Sequence, residues 1–332
     1  MTAVQETADR ILEATVVGSF SRIGYEARRR MFGWPEPADV AGVEALVTGA
    51  TSGLGLETAT WLARLGARVT FIARDGERSE KARRSIAEQS GRQDVSYLLA
   101  DLSDQQAVRR AAAEYLDRHD RLDVLVHNAG MLTHDYRTAP DGTELTVATH
   151  VLGPFLLTGL LLPALRQSRP DAGPGRVLTV SSGGMYSQKF DLARLDSSPD
   201  GFDGTKAYAR AKRAQVVLTH EWARRVDPAA VVFHAMHPGW ADTPGVRSSL
   251  PGFHRVTGPV LRSPHQGVDT LVWLAGTPEA ARTSGKFWLD RRTRSEYKLP
   301  WTRPSDPAGD QSRLWEWCAT RTGWDLPAGG AG

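Results

Sequence analysis

Seven short runs in this chain are apolar on both faces, and stretches of helical periodicity lie between them. The runs span residues 43–48, 68–73, 95–100, 124–128, 176–181, 231–237 and 286–289. Apolar residues recur with helical spacing over 57–65, 105–116, 144–165 and 207–225. A strand with no polar face has to be covered on both sides, and alternation with helices makes neighbouring strands parallel. The expected fold class is therefore α/β: one doubly wound parallel sheet of about seven strands with helices on both faces. That body takes up residues 42–290, between a helical leader (1–41) and an irregular tail (291–332). With 332 residues, 41% of them apolar, the chain has ample material for one large core.

The first run ends in Thr48-Gly49-Ala50-Thr51-Ser52-Gly53-Leu54-Gly55, directly before a helix. Glycines there let the backbone turn sharply and approach a pyrophosphate, whose charge the free N–H groups of a helix start attract. This strand–turn–helix context makes the motif a dinucleotide site of the Rossmann type. The second run ends at Ala73 and is followed by Arg74, where an acid would bond a ribose 2′-hydroxyl and an arginine suits a 2′-phosphate. NADP(H) is the expected cofactor. NAD(H) is the alternative, with Asp75 on the ribose and Arg74 in solvent.

Tyr208 and Lys212 stand four residues apart on one face of a helix. An ammonium beside a phenol favours phenolate and brings an acid with pKa near 10 toward neutrality. The helix follows a strand ending Val180-Ser181-Ser182, and a serine at a strand's carboxyl end points into the ligand crevice of such sheets.

In order, TGATSGLG (48–55), Asp101-Leu102, Asn128-Ala129-Gly130, Ser182, YxxxK (208–212), Pro238-Gly239 and Thr243 resemble the short-chain dehydrogenase/reductases over about residues 42–290. VSSGGM (180–185), FDGT (202–205), MHPGWADTPGV (236–246) and GFH (252–254) are similar to the group of SDR family member 12. Leader and tail also look similar to that group, and retinol-dehydrogenase-like members are more distant. The resemblance implies that Thr48, Gly49, Ser52, Gly53, Leu54 and Gly55 bind the pyrophosphate side. It implies that Asp101 and Leu102 flank the adenine and that Asn128, Ala129 and Gly130 line the cofactor. Pro238, Gly239 and Thr243 would shape the nicotinamide pocket. Ser182 would polarise a substrate carbonyl, Tyr208 would exchange the proton, and Lys212 would hold the ribose. The implied reaction interconverts a carbonyl and an alcohol by hydride transfer.

Two departures from the family stand out. His150 occupies a position where the family carries an asparagine that anchors a proton-relay water; a histidine there either serves with a pH-dependent charge, removes the relay, or fills space beside Pro154. Ser182 and Tyr208 are also 26 positions apart, so 185–206 reads as an insertion reaching over the substrate side. Met185, Tyr186 and Trp240, with Leu132, Leu250 and Phe253 nearby, suggest a hydrophobic substrate.

Other classes fit less well. A net charge of +3 suits an anionic cofactor better than nucleic acid, and Arg83-Arg84, Arg109-Arg110 and Arg224-Arg225 lack interleaved aromatics. Cys318 is the one cysteine, which excludes an intramolecular disulfide and a multi-cysteine zinc site. His220-Glu221 is followed by Arg224 where a second zinc histidine belongs, so no metal is expected. Serine-nucleophile chemistry lacks its G-x-S-x-G elbow. No signal sequence and no apolar run of roughly 18 residues is present, so a cytoplasmic protein without a transmembrane segment is expected. In the leader Ile11, Leu12, Val16, Phe20 and Ile23 form a stripe followed by three arginines, suited to packing on the body or a partner subunit, or to a peripheral membrane contact. A homo-oligomer is compatible with it. Trp301, Trp315, Trp317 and Trp324 are expected to cover core surface. The competing function is a dinucleotide-binding sensor or interaction protein with weak or no catalysis.

Overall fold

The structure is a computed structural model, which describes residues 2–169 and 171–327. Eight strands form one sheet in the order β3-β2-β1-β4-β5-β6-β7-β8. In chain order they are β1 (Glu44–Thr48), β2 (Arg68–Ala73), β3 (Val95–Leu99), β4 (Val124–His127), β5 (Gly175–Val180), β6 (Val231–Met236), β7 (Lys286–Leu289) and β8 (Arg292–Thr293). All neighbours are parallel except β7 and β8, where Trp288 pairs with Thr293 across a short antiparallel hairpin. The expected parallel sheet is thus present, with one further two-residue strand at its edge. Every residue of β1, β4, β5 and β6 is buried, as strands covered on both faces require.

Two apolar layers provide that cover. One contains Val108 and Tyr115 from helix Gln105–Arg118, Phe155 and Leu161 from helix Gly153–Leu165, and Leu218 and Trp222 from helix Gly204–Arg225. The other contains Trp61 and Leu62 from helix Gly53–Arg64, Ile86 from helix Gly76–Ser90, and Leu271 and Leu274 from helix Pro264–Gly276. Strand order reverses between β1 and β4, which opens a crevice at their carboxyl ends, where ligands of such sheets bind.

The stretch 145–165 is long and apolar enough to cross a membrane, with mean hydropathy 1.8. In the structure 94% of that window is buried inside the protein, so it is a core helix. It is not uniform. Pro154 has no N–H to offer the carbonyl of His150 four residues earlier, and its ring crowds that carbonyl. The helix accordingly widens into a π-turn over Ala148–Leu152 before resuming at Gly153.

The leader and tail differ from their expected forms. The leader breaks into helices Ala3–Ala14, Val16–Phe20 and Arg22–Phe32, because Thr15 caps Gly18 and Ser21 begins a third helix. The anticipated stripe is therefore split: Phe20 is buried, while Ile11, Val16 and Ile23 face solvent. Charge does the docking. Fully buried Arg28 contacts Asp9 at 2.8 Å and Asp290 at 2.7 Å, and Arg262 contacts Asp290 at 2.6 Å. Burial alone would raise the Asp290 pKa, yet Arg262 and Arg28 hold it below the usual range. The tail was expected to be irregular but contains helix Pro307–Thr322. Its Asp306 accepts from Gly309 N at 3.0 Å, and proline at the helix start needs no hydrogen-bond partner. Leu314, Trp315 and Cys318 enter the first apolar layer, and the Trp324 ring covers Gly159, where an added Cβ would lie 2.4 Å away.

Candidate active site

At the carboxyl end of β1 the chain turns through Gly49 (φ 73°) and Gly53 (φ 55°), both in the left-handed region that glycine tolerates. An added Cβ on Gly55 would sit 2.2 Å from the Gly49 carbonyl oxygen and 2.3 Å from Asn128 Nδ2. The turn is tied to the end of β4. Asn128 Nδ2 donates to Thr48 O (3.1 Å) and Gly49 O (3.3 Å), and Thr48 Oγ1 accepts from Asn128 N and Ala129 N at 3.0 Å each. The helices after β2 and β3 are capped by the carboxylates of Asp75 and Asp104. Ser52, at the start of helix Gly53–Arg64, makes no such cap, which leaves the first-turn N–H groups for an anion. Leu54 is half-buried beneath this turn. These features fit the pyrophosphate of a dinucleotide.

Arg74 follows β2, exposed, with Nη1 3.7 Å from Asp101 Oδ2. Asp75 is committed as a helix cap, accepting from Arg78 N at 2.8 Å. Asp101 also accepts from Ser103 N and Oγ. Leu102 is buried in the core, so at that position only its backbone can face a nucleotide. On the opposite side of the crevice Thr243 lies against the glycine turn, with its Cβ 3.5 Å from an ideal Cβ on Gly53. Its hydroxyl caps Val246 at 3.2 Å. Gly239, beside Pro238, has φ 75° and backs onto the Arg262 guanidinium.

Ser182, Tyr208 and Lys212 converge beyond β5. Ser182 leaves the strand in extended conformation, its Oγ accepts from Gly184 N at 3.3 Å, and its hydroxyl is near enough to Tyr208 to favour the phenolate. Lys212 Nζ lies 5.6 Å from the Tyr208 ring centre and donates to Val180 O at 2.8 Å. Burial raises the Tyr208 pKa, against the pull of the Ser182 hydroxyl. Burial also lowers Lys212 to about 7. The expected depression of the phenol by a full ammonium is thus not the electrostatic state here, because desolvation leaves the lysine balanced between amine and ammonium near neutrality.

His150 joins this group from the π-turn. Its ring meets that of Tyr208 edge-on at 5.4 Å, and its Nε2 accepts from Met131 N at 2.9 Å. Gly130 fits between His150 and Lys212: an added Cβ would stand 3.1 Å from His150 Nε2 and 3.6 Å from Lys212 Nζ. Burial first, and the Lys212 charge second, push the His150 pKa well below its ordinary value, so the ring carries no pH-dependent charge near neutrality.

The anticipated substrate residues are placed unevenly. Met185 and Tyr186 are buried with Phe20 and Phe287, and Tyr186 donates to Ser295 O at 3.1 Å. They support the wall from behind. Trp240 is half-buried, against Phe20 and Phe253. The insertion contributes through Phe202, edge-on to Tyr136 at 5.5 Å, while Phe190 turns into the core. Ser249 Oγ donates to Leu132 O, which straps the segment after β6 to the loop after β4 across the mouth. A separate cavity of about 550 Å³ between the insertion and the tail helix is lined by Phe190 but by none of the other residues named here. Gln215 was missed by sequence reasoning: it stands one turn after Lys212 on the same helix face and donates to the His150 carbonyl at 2.9 Å. No cluster of metal-binding side chains occurs among the described residues.

Residues 44–252 match the short chain dehydrogenase family. The chain is 40% identical over 300 residues to dehydrogenase/reductase SDR family member 12 of Bos taurus, spanning 90% of this chain and 92% of that protein. It is 31% identical over 307 residues to retinol dehydrogenase 13 of Homo sapiens, spanning 89% and 88%. Among solved structures, a Mycobacterium Paratuberculosis protein matches with TM-score 0.68 at 27% identity, covering 88% of this chain and 97% of that one. A short chain dehydrogenase of Escherichia coli CFT073 complexed with NADPH matches with TM-score 0.63 at 25% identity, covering 78% and 100%.

Proposed function

The chain belongs to the short-chain dehydrogenase family, and from that premise we propose that it is an NADP(H)-dependent reductase or dehydrogenase of a hydrophobic carbonyl/alcohol pair, with Tyr208 as general acid/base. The observation that carries this reading is the meeting of Ser182, Tyr208 and Lys212 beside an uncapped helix start at the sheet's reversal point. A nicotinamide dinucleotide held there supplies or accepts the hydride. The glycine turn and helix N-terminus hold its pyrophosphate, and Thr243 closes the crevice from the other side. NADP is favoured because Arg74 is exposed after β2, held by a 3.7 Å contact with Asp101 that leaves its guanidinium able to meet a 2′-phosphate, while Asp75 is committed as a helix cap.

Ser182 and Tyr208, whose hydroxyls lie near each other, together receive a carbonyl oxygen. The phenol gives its proton to that oxygen as the carbon is reduced, and takes it back in the oxidation direction. Lys212 anchors the back of the site on Val180 O. Negative phosphates near it would raise its pKa and so turn it into the ammonium that favours phenolate. Hydrophobic selectivity rests on Trp240 and Phe253 at the mouth.

The test is binding and consumption of NADPH and NADH by the purified protein against a panel of aldehydes and ketones. NADPH-dependent turnover is expected. Dinucleotide binding without turnover on any carbonyl would support a sensor instead.

A further inference from the structure

Beside His150 and Gln215 lies a buried cavity of about 30 Å³, lined on its polar side by His127, His150, Thr158, Thr179, Gln215 and Thr219. Three polar atoms of its lining residues have no protein partner: His150 Nδ1, His127 Nδ1 and Gln215 Oε1. Hydrogen bonding settles the identity of two of them. Met131 N–H donates to His150 Nε2, so that nitrogen is the bare lone pair and the neutral ring carries its proton on Nδ1. Gln215 donates to the His150 carbonyl, which only its NH2 can do, so the free atom is its carbonyl oxygen. That His150 carbonyl is available because Pro154 cannot bond it. The lining thus presents a donor, an acceptor and a ring nitrogen with no protein partner. A water needs about 10–15 Å³ and two to four polar partners, so two waters fit.

We propose that His150 is a positioning residue, held as a neutral imidazole by buried water that it shares with His127 and Gln215, and that its Nε2 fixes loop 128–131 over Lys212. The ring nitrogen next to Lys212, Nε2, is an acceptor engaged by Met131 N–H and so carries no proton to pass, while the backbone carbonyl accepts from Gln215. The ring therefore does not relay protons; it sets the floor of the dinucleotide crevice. The titratable groups around it are Lys212 and Tyr208 from helix Gly204–Arg225 and His127 from β4, and the cavity lining contains no carboxylate. Burial keeps His127 neutral as well, at about 3.

The inference rests on the dehydrogenase reading only where turnover is the readout. The first arm is imidazole 15N NMR of the full chain, with His150 assigned by its loss in His150→Gln. A proton on Nδ1, a bare Nε2 and no titration from about pH 5.5 to 8.5 are expected. A titrating ring or an Nε2–H tautomer overturns the proposal whether or not the protein is an enzyme. The second arm is NADPH affinity. His150→Leu strands the Met131 N–H and is expected to weaken binding roughly tenfold or more, while His150→Gln, which can accept that bond, stays within about threefold. Equal effects of the two substitutions overturn it. In turnover, the kcat/KM pH profile of His150→Gln should match that of the wild type, and loss of a limb would make His150 a proton carrier.

Discussion

Replacing Lys212 by methionine removes a cation that the fold holds against its preference for water. The side chain is 3% exposed, donates to Val180 O, and has its pKa lowered by burial from 10.5 to about 7. Between those values the unfolded chain binds a proton that the native protein does not. Stability therefore rises with pH across this window; the gain is complete above the unfolded value and lost as pH falls through about 7. One pKa unit corresponds to about 1.4 kcal/mol, and with the lysine half-protonated at pH 7 the gain from pH 7 to 9 comes to about 2 kcal/mol. Lys212→Met lacks this term. Urea unfolding of both proteins without dinucleotide, at pH 7 and pH 9, should show the wild type gaining about 2 kcal/mol relative to the variant. Parallel pH dependence would refute the claim that burial sets the state of this lysine.

Three further outcomes follow from geometry. Gly55→Ala drives a Cβ into the Gly49 carbonyl and Asn128, neither of which can yield without opening the turn, so NADPH affinity should fall by more than about tenfold in a fluorescence titration. Arg74→Ala should weaken NADPH roughly tenfold while leaving NADH within about twofold, and equal losses would remove the argument for NADP. Asp290→Ala leaves Arg28 and Arg262 buried without their shared carboxylate and should cost about 3–5 kcal/mol in chemical denaturation; an unchanged midpoint would mean the leader is not held by this charge network.

Much of the body was readable because its signals are local. β2 and β7 coincide with their expected runs, β1, β3, β4, β5 and β6 fall within one residue of theirs at each end, and the two-residue β8 had no expected run. The residues expected to finish the runs at 128, 181 and 237 instead lie just past the ladder, where Asn128 braces the glycine turn and Ser181 bonds Lys212 O. The tail helix was hidden because Pro307 and Gly309 look like breakers, although proline suits a helix start and Asp306 supplies the cap. The leader's docking could not be read from periodicity, since Arg28 meets Asp290 across 262 positions of sequence. The role of His150 likewise depends on Met131 and Gln215, which approach it only in the folded chain.

The most direct trial of the chemistry compares wild type with Tyr208→Phe, which keeps the ring against His150 and removes only the hydroxyl. NADPH affinity should be unchanged, whereas kcat against the best carbonyl substrate should fall by about 10²–10⁴-fold, the usual contribution of a positioned acid. Turnover that survives the substitution would mean that the proton comes from elsewhere and that the phenol does not act in catalysis.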